Sequence, residues 1–303
     1  MSRMQISDSD ALNYLISQLA YVEKQIWEAK YAPIIYQDLI PVSYEAGSWA
    51  TSVEVHYMDG VTTGKFIGAA GDDMPFVQMN TGRDVIPVRY AGIGYEYTLE
   101  ELRQSMRTQT PLDTTLARLA RRGFEEHAQT LLFNGDTARG LQGLLTHTGI
   151  QTSAAGSTWA TLAVPATMDS FITEFNQPIN TIIANTQERE IPDRYLIPVA
   201  QFNLLAGTRL NTVSDITLLQ FFRQNNPSTA RTGKPLEIRS VPQLSGKSLV
   251  YSSSPDVMVG HIPMPLQFVA PQPINLKIRV PGEYKLAGLE VRYPGACAYR
   301  TGI

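Results

Sequence analysis

The feature that most constrains this chain is a stretch of strand grammar with no evident place to bury itself. From Ser48 to Tyr57 the residues alternate, with Trp49, Thr51, Val53, Val55 and Tyr57 on one side and Ala50, Ser52, Glu54 and His56 on the other, the period-two signature of a strand. Asp59-Gly60 follows, a dipeptide favoured in two-residue hairpin turns because it tolerates positive φ, so Val61 to Ile67 is expected to return as the second strand. Gly68-Ala69-Ala70-Gly71-Asp72-Asp73-Met74-Pro75 packs poorly and suits an extended loop. A two-stranded arm is marginal alone in water. It needs a surface to lie on, and in an assembly that surface is the next subunit.

Around this arm the chain alternates helical and strand signals. Ser7-Asp8-Ser9-Asp10 supplies N-cap candidates, after which Leu12, Leu15, Ile16, Leu19, Val22 and Ile26 recur at helical spacing as far as Lys30. Val85, Ile86, Val88, Tyr90, Ile93, Tyr95 and Tyr97 form one long strand region. It ends at Thr98-Leu99-Glu100-Glu101, where a hydroxyl three positions before a carboxylate is a capping box and predicts a short helix. Thr110-Pro111 repeats the start signal, with proline at the first helical position, where its missing donor costs nothing. From there Leu112, Leu116, Leu119, Ala120, Phe124, Ala128, Leu131 and Leu132 trace an apolar stripe that stops at Asn134-Gly135. Such a helix is a rod of roughly 33 Å, long enough to organise the body. Helical patterns return at 168–184 and 201–207, with a strand at 194–198 between them, and from Leu236 onward strands dominate.

Composition narrows the class. A 43% apolar and 17% charged content describes a chain that folds rather than a disordered one. At 303 residues one large body or two interleaved lobes is expected. A net charge of -3 argues against a dedicated nucleic-acid binder. The single cysteine, Cys297, excludes an internal disulfide framework and reads as a small buried hydrophobe. Met1-Ser2-Arg3-Met4-Gln5 leads into an amphipathic segment and not an apolar signal core, and no stretch reaches bilayer-spanning length. A soluble, cytoplasmic protein is expected.

The search for chemistry returns little. His56, His127, His147 and His261 lie far apart, and Glu125-Glu126-His127 lacks the second histidine of a zinc helix, so neither a metal site nor a cofactor site is expected. Ser245-Gly246-Lys247-Ser248 resembles the end of a phosphate loop, but Val241 stands where the first glycine is required. Gly92-Ile93-Gly94 follows a strand, yet Tyr97 stands at the third glycine of a dinucleotide fingerprint, and a bulge or close backbone contact is the plainer reading. No Gly-x-Ser-x-Gly elbow occurs. Arg118, Arg121 and Arg122, with Glu125 and Glu126 one turn on, read as a solvated helix face laced with ion pairs, with an intersubunit contact as the alternative.

The order of parts, an N-terminal helix, a hairpin arm, a long strand, one spine helix, a mixed lobe and a strand-rich return, resembles the major capsid proteins of tailed bacteriophages with the Hong Kong 97-type fold. The stretches that carry it are Tyr95-Glu96-Tyr97-Thr98-Leu99-Glu100-Glu101-Leu102, Ala120-Arg121-Arg122-Gly123-Phe124-Glu125-Glu126, Leu132-Phe133-Asn134-Gly135-Asp136, Gly140-Leu141-Gln142-Gly143-Leu144-Leu145 and Gly288-Leu289-Glu290-Val291-Arg292-Tyr293-Pro294-Gly295-Ala296. Encapsulins are close relatives in fold.

The resemblance implies an α+β fold: an N-terminal arm over 1–47, an extended loop (E-loop) over 48–83, a P-domain over 84–162 with its spine helix at 111–134, an A-domain over 163–235 and returning strands over 236–303. It implies intersubunit contact through Trp49, Val53, Val55, Tyr57, Asp59, Gly60, Lys65 and Phe66, and a spine marked by Leu116, Arg118, Arg122 and Phe124. Lys65 occupies the loop where one family branch places a crosslinking lysine, although an ordinary exposed lysine is the plainer reading. The expected function is a non-enzymatic subunit of an icosahedral shell, built from pentamers and hexamers in the host bacterial cytoplasm and enclosing double-stranded DNA without sequence-specific binding. No cofactor and no membrane are involved. With only some 47 residues ahead of the arm, a separate scaffolding protein is implied; portal and decoration proteins are further expected partners. The alternatives are an encapsulin-type compartment and, in another class, a cytosolic hydrolase with an unrecognised site.

Overall fold

A five-stranded sheet lies between two apolar cores. Its spatial order is Gln151–Ala154, Cys297–Thr301, Lys247–Tyr251, Arg194–Ile197 and Glu237–Ser240. Because side chains alternate across a strand, successive residues serve opposite cores. Leu196, Leu249, Tyr251, Cys297 and Tyr299 join one with Phe124, Ala128, Leu131 and Leu132, while Tyr195, Ile197, Ile238, Val250 and Ala298 join the other with Trp159, Phe171, Phe175, Ile179 and Phe222. The second core is aromatic: Phe175 stacks on Phe222 at 3.9 Å and on Tyr195 at 4.5 Å between centroids. Covering both faces explains the continuous apolar runs of the two strands next to each other in the sheet, Tyr195-Leu196-Ile197 and Leu249-Val250-Tyr251.

The computed structural model describes residues 31–61, 66, 76–108, 112–211 and 215–303, and residues 34–303 form one compact unit. The expected N-terminal helix, the Gly68–Pro75 loop, Lys65 and the Thr110-Pro111 start signal lie outside the described residues.

The mixed α+β class holds. Helices at Leu99–Thr108, Leu112–Asn134, Met168–Asn185 and Val199–Gly207 stand where the periodicity places them. The capping box at Thr98 is formed in full: the Glu101 amide donates to Thr98 Oγ1 at 3.1 Å, and the Thr98 amide donates to Glu101 Oε2 at 2.8 Å. The stripe of the long helix is buried at Ala120, Phe124, Ala128, Leu131 and Leu132, but Leu119 is exposed.

The end of that helix explains an otherwise opaque stretch of sequence. The last four carbonyls of a helix have no partner within it. Here Gly135, at φ +71°, donates to Leu131 O at 2.8 Å, the left-handed cap that glycine favours. Leu144 and Leu145 then donate to Leu132 O and Phe133 O, both at 2.8 Å, and Thr146 Oγ1 donates to Asn134 O at 2.7 Å. The returning chain must come so close that a Cβ on Gly143 would sit 2.3 Å from the Gly135 nitrogen. Two glycines and two leucines between 135 and 145 are thereby accounted for.

The long strand region is divided between partners. Gln78–Pro87 pairs with Ser52–Val61, Arg89–Gly92 with Gly282–Leu286, and Tyr95–Thr98 with Lys277–Val280. Gly92 and Gly94 face the carbonyls of Gly282 and Val280, where a Cβ would sit 2.9 and 2.8 Å away, so close backbone approach is their role.

One expectation is corrected. Asp59-Gly60 is not the turn: Asp59 pairs with Asn80 and Gly60 with Met79, inside a ten-pair antiparallel ladder that runs from Ser52↔Pro87 to Val61↔Gln78. Gly60 does not adopt positive φ. The return strand is therefore Gln78–Pro87 and not 61–67. A turn at 59–60 would leave residues 52–58 opposite 61–67, and the ten-pair register is longer and satisfies more backbone donors.

Replacing Gly143 with alanine forces backbone against backbone at the helix end, where no side chain can yield. The expected loss is about 1–3 kcal/mol of stability, read as a lower denaturant midpoint with an unchanged m-value. A midpoint equal to the parent's would refute this account of the cap.

Candidate assembly surface

The hairpin Ser52–Val61/Gln78–Pro87 pairs with no other described strand. At its base Val88 donates to Thr51 O at 3.0 Å, closing the two arms on each other, and Lys285 Nζ of the body donates to Ala50 O at 3.3 Å. From the register, one face carries Val53, Val55, Tyr57 and Ile86, and the other Glu54, His56, Met58, Met79, Arg83 and Val85. Val53, Val55 and Ile86 are half-buried, so the first face leans on the body at its base. Beyond that point burial stops. Tyr57 lies across Gly82, occupying the space a Cβ would fill, and remains exposed. Met58 and Phe76 are 70% and 83% exposed, and Val77 and Met79 are exposed with them.

The predicted contact residues thus fall into three groups. Trp49, at 84% exposure, and Phe66, fully exposed, are bare aromatics. Val53 and Val55 are partly used within the subunit, and Tyr57 is bare. Asp59 and Gly60 are ladder positions, and Lys65 lies outside the described residues. Met58, Phe76, Val77 and Met79, also bare, were not among the predicted residues. Their sequence signal is a largely apolar stretch, Phe76-Val77-Gln78-Met79, that leads into the second strand.

The spine residues divide similarly. Phe124 is buried and meets the Tyr284 ring edge-on at 4.9 Å. Leu116 is half-buried and Arg118 exposed. Arg122 pairs with Glu126 at 2.9 Å, one turn on, whereas Glu125 accepts the Tyr36 hydroxyl at 2.6 Å.

Between the hairpin base and the body lies a cleft of about 880 Å³, lined on one side by Val53, Val55 and Asp84 and on the other by His147, His261 and Glu290. His261 Nε2 lies 2.5 Å from Glu290 Oε2, and Arg292 Nε donates to Glu290 Oε1 at 2.7 Å. Burial pushes the Glu290 carboxyl up, but the hydrogen bonds from His261 and Arg292 outweigh it and hold the group below its ordinary range. Lys247 donates to Leu145 O and sits 5.0 Å above the Tyr299 ring. Burial pushes the Cys297 thiol up to about 12. Among the described residues no group of three metal-ligating side chains converges, and no helix is long and apolar enough to cross a membrane.

The family model for major capsid proteins matches residues 63–303. The chain belongs to that family. It is a structural subunit of a phage capsid, and its fold is that of solved capsid shells. The capsid of Myoviridae phage XM1 superposes with a TM-score of 0.79 at 21% identity, covering 95% of this chain and 98% of that one. The capsid of an empty GTA particle gives 0.64 at 11% identity with 97% of each chain covered. A Mycobacterium phage Bobi structure gives 0.63 at 13% identity, covering 98% and 99%. No curated protein matches.

Because the Glu290 carboxyl is depressed on folding, its contribution is present above the ordinary value of 4.5 and is lost as pH falls through the folded value. Glu290→Gln is expected to cost about 1–3 kcal/mol at pH 7 and to flatten the acid limb of a stability-against-pH curve. Parallel curves for variant and parent would rule out the pair as a source of acid sensitivity.

Proposed function

We propose that copies of this chain assemble into pentamers and hexamers that close into an icosahedral shell around double-stranded DNA. The observation that carries it is the hairpin, whose outer half presents Tyr57, Met58, Phe76, Val77 and Met79 to solvent, each more than half exposed. An exposed apolar set of this size marks an interaction surface. Ring closure follows when a surface of one copy meets a different surface of the next, and many modest contacts repeated by symmetry sum to a stable whole.

In this reading 48–83 is the arm that crosses to an adjacent subunit, 84–162 carries the spine, and 163–235 gathers near the symmetry axes. Trp49 and Phe66 supply the arm's apolar contacts. The subunit has no catalytic site of its own. DNA is held by enclosure rather than by grip, in keeping with a net charge of -3, since phosphate binding needs clustered cations. A separate scaffolding protein, a portal and decoration proteins are the partners, and assembly takes place in the host bacterial cytoplasm. The protein-compartment alternative is less supported, because the matching family model is that of major capsid proteins.

The test is the particle itself. Purified protein, with its scaffold if required, should give closed shells or five- and six-membered rings by electron microscopy. The triple variant Met58→Ser, Phe66→Ser, Met79→Ser should keep the parent's stability within about 0.5 kcal/mol, as exposed substitutions do, yet lose particle formation by light scattering. Normal particles from that variant would remove the hairpin from the assembly mechanism.

A further inference from the structure

The five-stranded sheet ends in two strands whose outer edges meet no other described strand, Gln151–Ala154 at one end and Glu237–Ser240 at the other. Edge strands present unpaired backbone donors and acceptors, and proteins usually blunt them with prolines, bulges, charges or a covering element. The hydrogen bonds fix which groups face outward here. Glu237 donates inward to Asp193 O at 3.0 Å and Val241 donates inward to Ile197 O at 2.9 Å. Both groups of a residue in a parallel ladder point the same way, and residues alternate. Glu237, Arg239 and Val241 therefore face inward, leaving the amides and carbonyls of Ile238 and Ser240 directed out. Leu236, of the same parity, is already taken, since its amide donates to Arg223 O at 3.0 Å.

A groove of about 600 Å³ lies at this edge, lined by Phe202, Arg223 and residues 235–240. An extended strand could lie in such a groove, as in recognition by strand addition. At the opposite end, Ala155 donates inward to Thr301 O at 2.7 Å, so Thr152 and Ala154 direct their backbone groups out. Gln151-Thr152-Ser153-Ala154 carries no charge and no proline, and three of the four residues are exposed.

Direction decides how these edges can meet. Gln151–Ala154 runs parallel to Cys297–Thr301, which is antiparallel to Lys247–Tyr251; that strand is antiparallel to Arg194–Ile197, which is parallel to Glu237–Ser240. The two end strands consequently point the same way. A second copy rotated about an axis roughly along the strands offers its 151–154 edge, parallel, to the 237–240 edge of the first. We infer that the sheet continues from copy to copy in this manner, with strand 151–154 of one subunit adding to the 237–240 groove of the next through the backbone of Ile238 and Ser240. Two different edges make the contact head-to-tail, the kind that closes rings. This deepens the shell reading and rests on it.

The test is amide hydrogen exchange on the wild-type chain, free and assembled. Ile238, Ser240, Thr152 and Ala154 should gain about tenfold or more protection in particles. Ser240→Pro and Thr152→Pro each delete only an outward-facing donor, a position where an edge strand accepts proline, so these variants should fold with parental circular dichroism and fail to form rings. Particles in which the four amides exchange as fast as in the free subunit would overturn the inference while leaving the shell reading intact, as would proline variants that assemble normally. Should a proline variant misfold, the wild-type exchange decides alone. Absence of any ring or shell from the wild-type chain would instead strike the shell reading and take this inference with it.

Discussion

The sheet buried on both faces is the constraint on which the rest of the subunit depends. With alternate residues committed to different cores, no strand in it can slip by one position without exchanging the contents of both. Tyr195 belongs with Phe175, while its neighbour Leu196 belongs with the long helix's side. Register is thereby specified twice. The two cores are not independent domains joined by a linker but two sides of one wall, and Cys297–Thr301, near the end of the chain, helps complete both.

The long helix is the second organising element, and its termination matters as much as its length. Ending a helix inside a protein leaves carbonyls that water cannot reach, and the subunit meets this by folding the 140–146 segment back over the helix end. The glycines there are geometric necessities. Nothing in their function as a cap refers to shell building, and a reader of the sequence sees only a motif shared with a family. The physical cause becomes visible once the backbone distances are known.

Legibility followed the range of the interaction. Local rules placed the Thr98 capping box, the Asn134-Gly135 stop and the helix over 168–185, because each depends on residues a few positions apart. The close-contact reading of Gly92 and Gly94 also came from local context. The hairpin register did not, because Asp59-Gly60 satisfies the two-residue turn rule and only the competing ten-pair ladder overrides it. The division of residues 85–97 among three pairings was likewise hidden, since the partners are nearly two hundred residues away in the chain for two of them. Of the proposed assembly surface, Trp49, Tyr57 and Phe66 were recognisable as apolar residues on an arm. Met58 and Met79 required knowing that they share one bare face.

The bare outer half of the hairpin has a kinetic consequence for the cell that makes the protein. Methionine and aromatic side chains waiting in water attract one another indiscriminately, so every newly folded copy is prone to disordered clumping until it is captured. Orderly growth must outrun that side reaction, which favours a slow nucleation step followed by rapid capture. The supply of free chain then has to stay low, and on the proposed assembly the surface that closes the shell also sets a ceiling on how fast its parts can be produced.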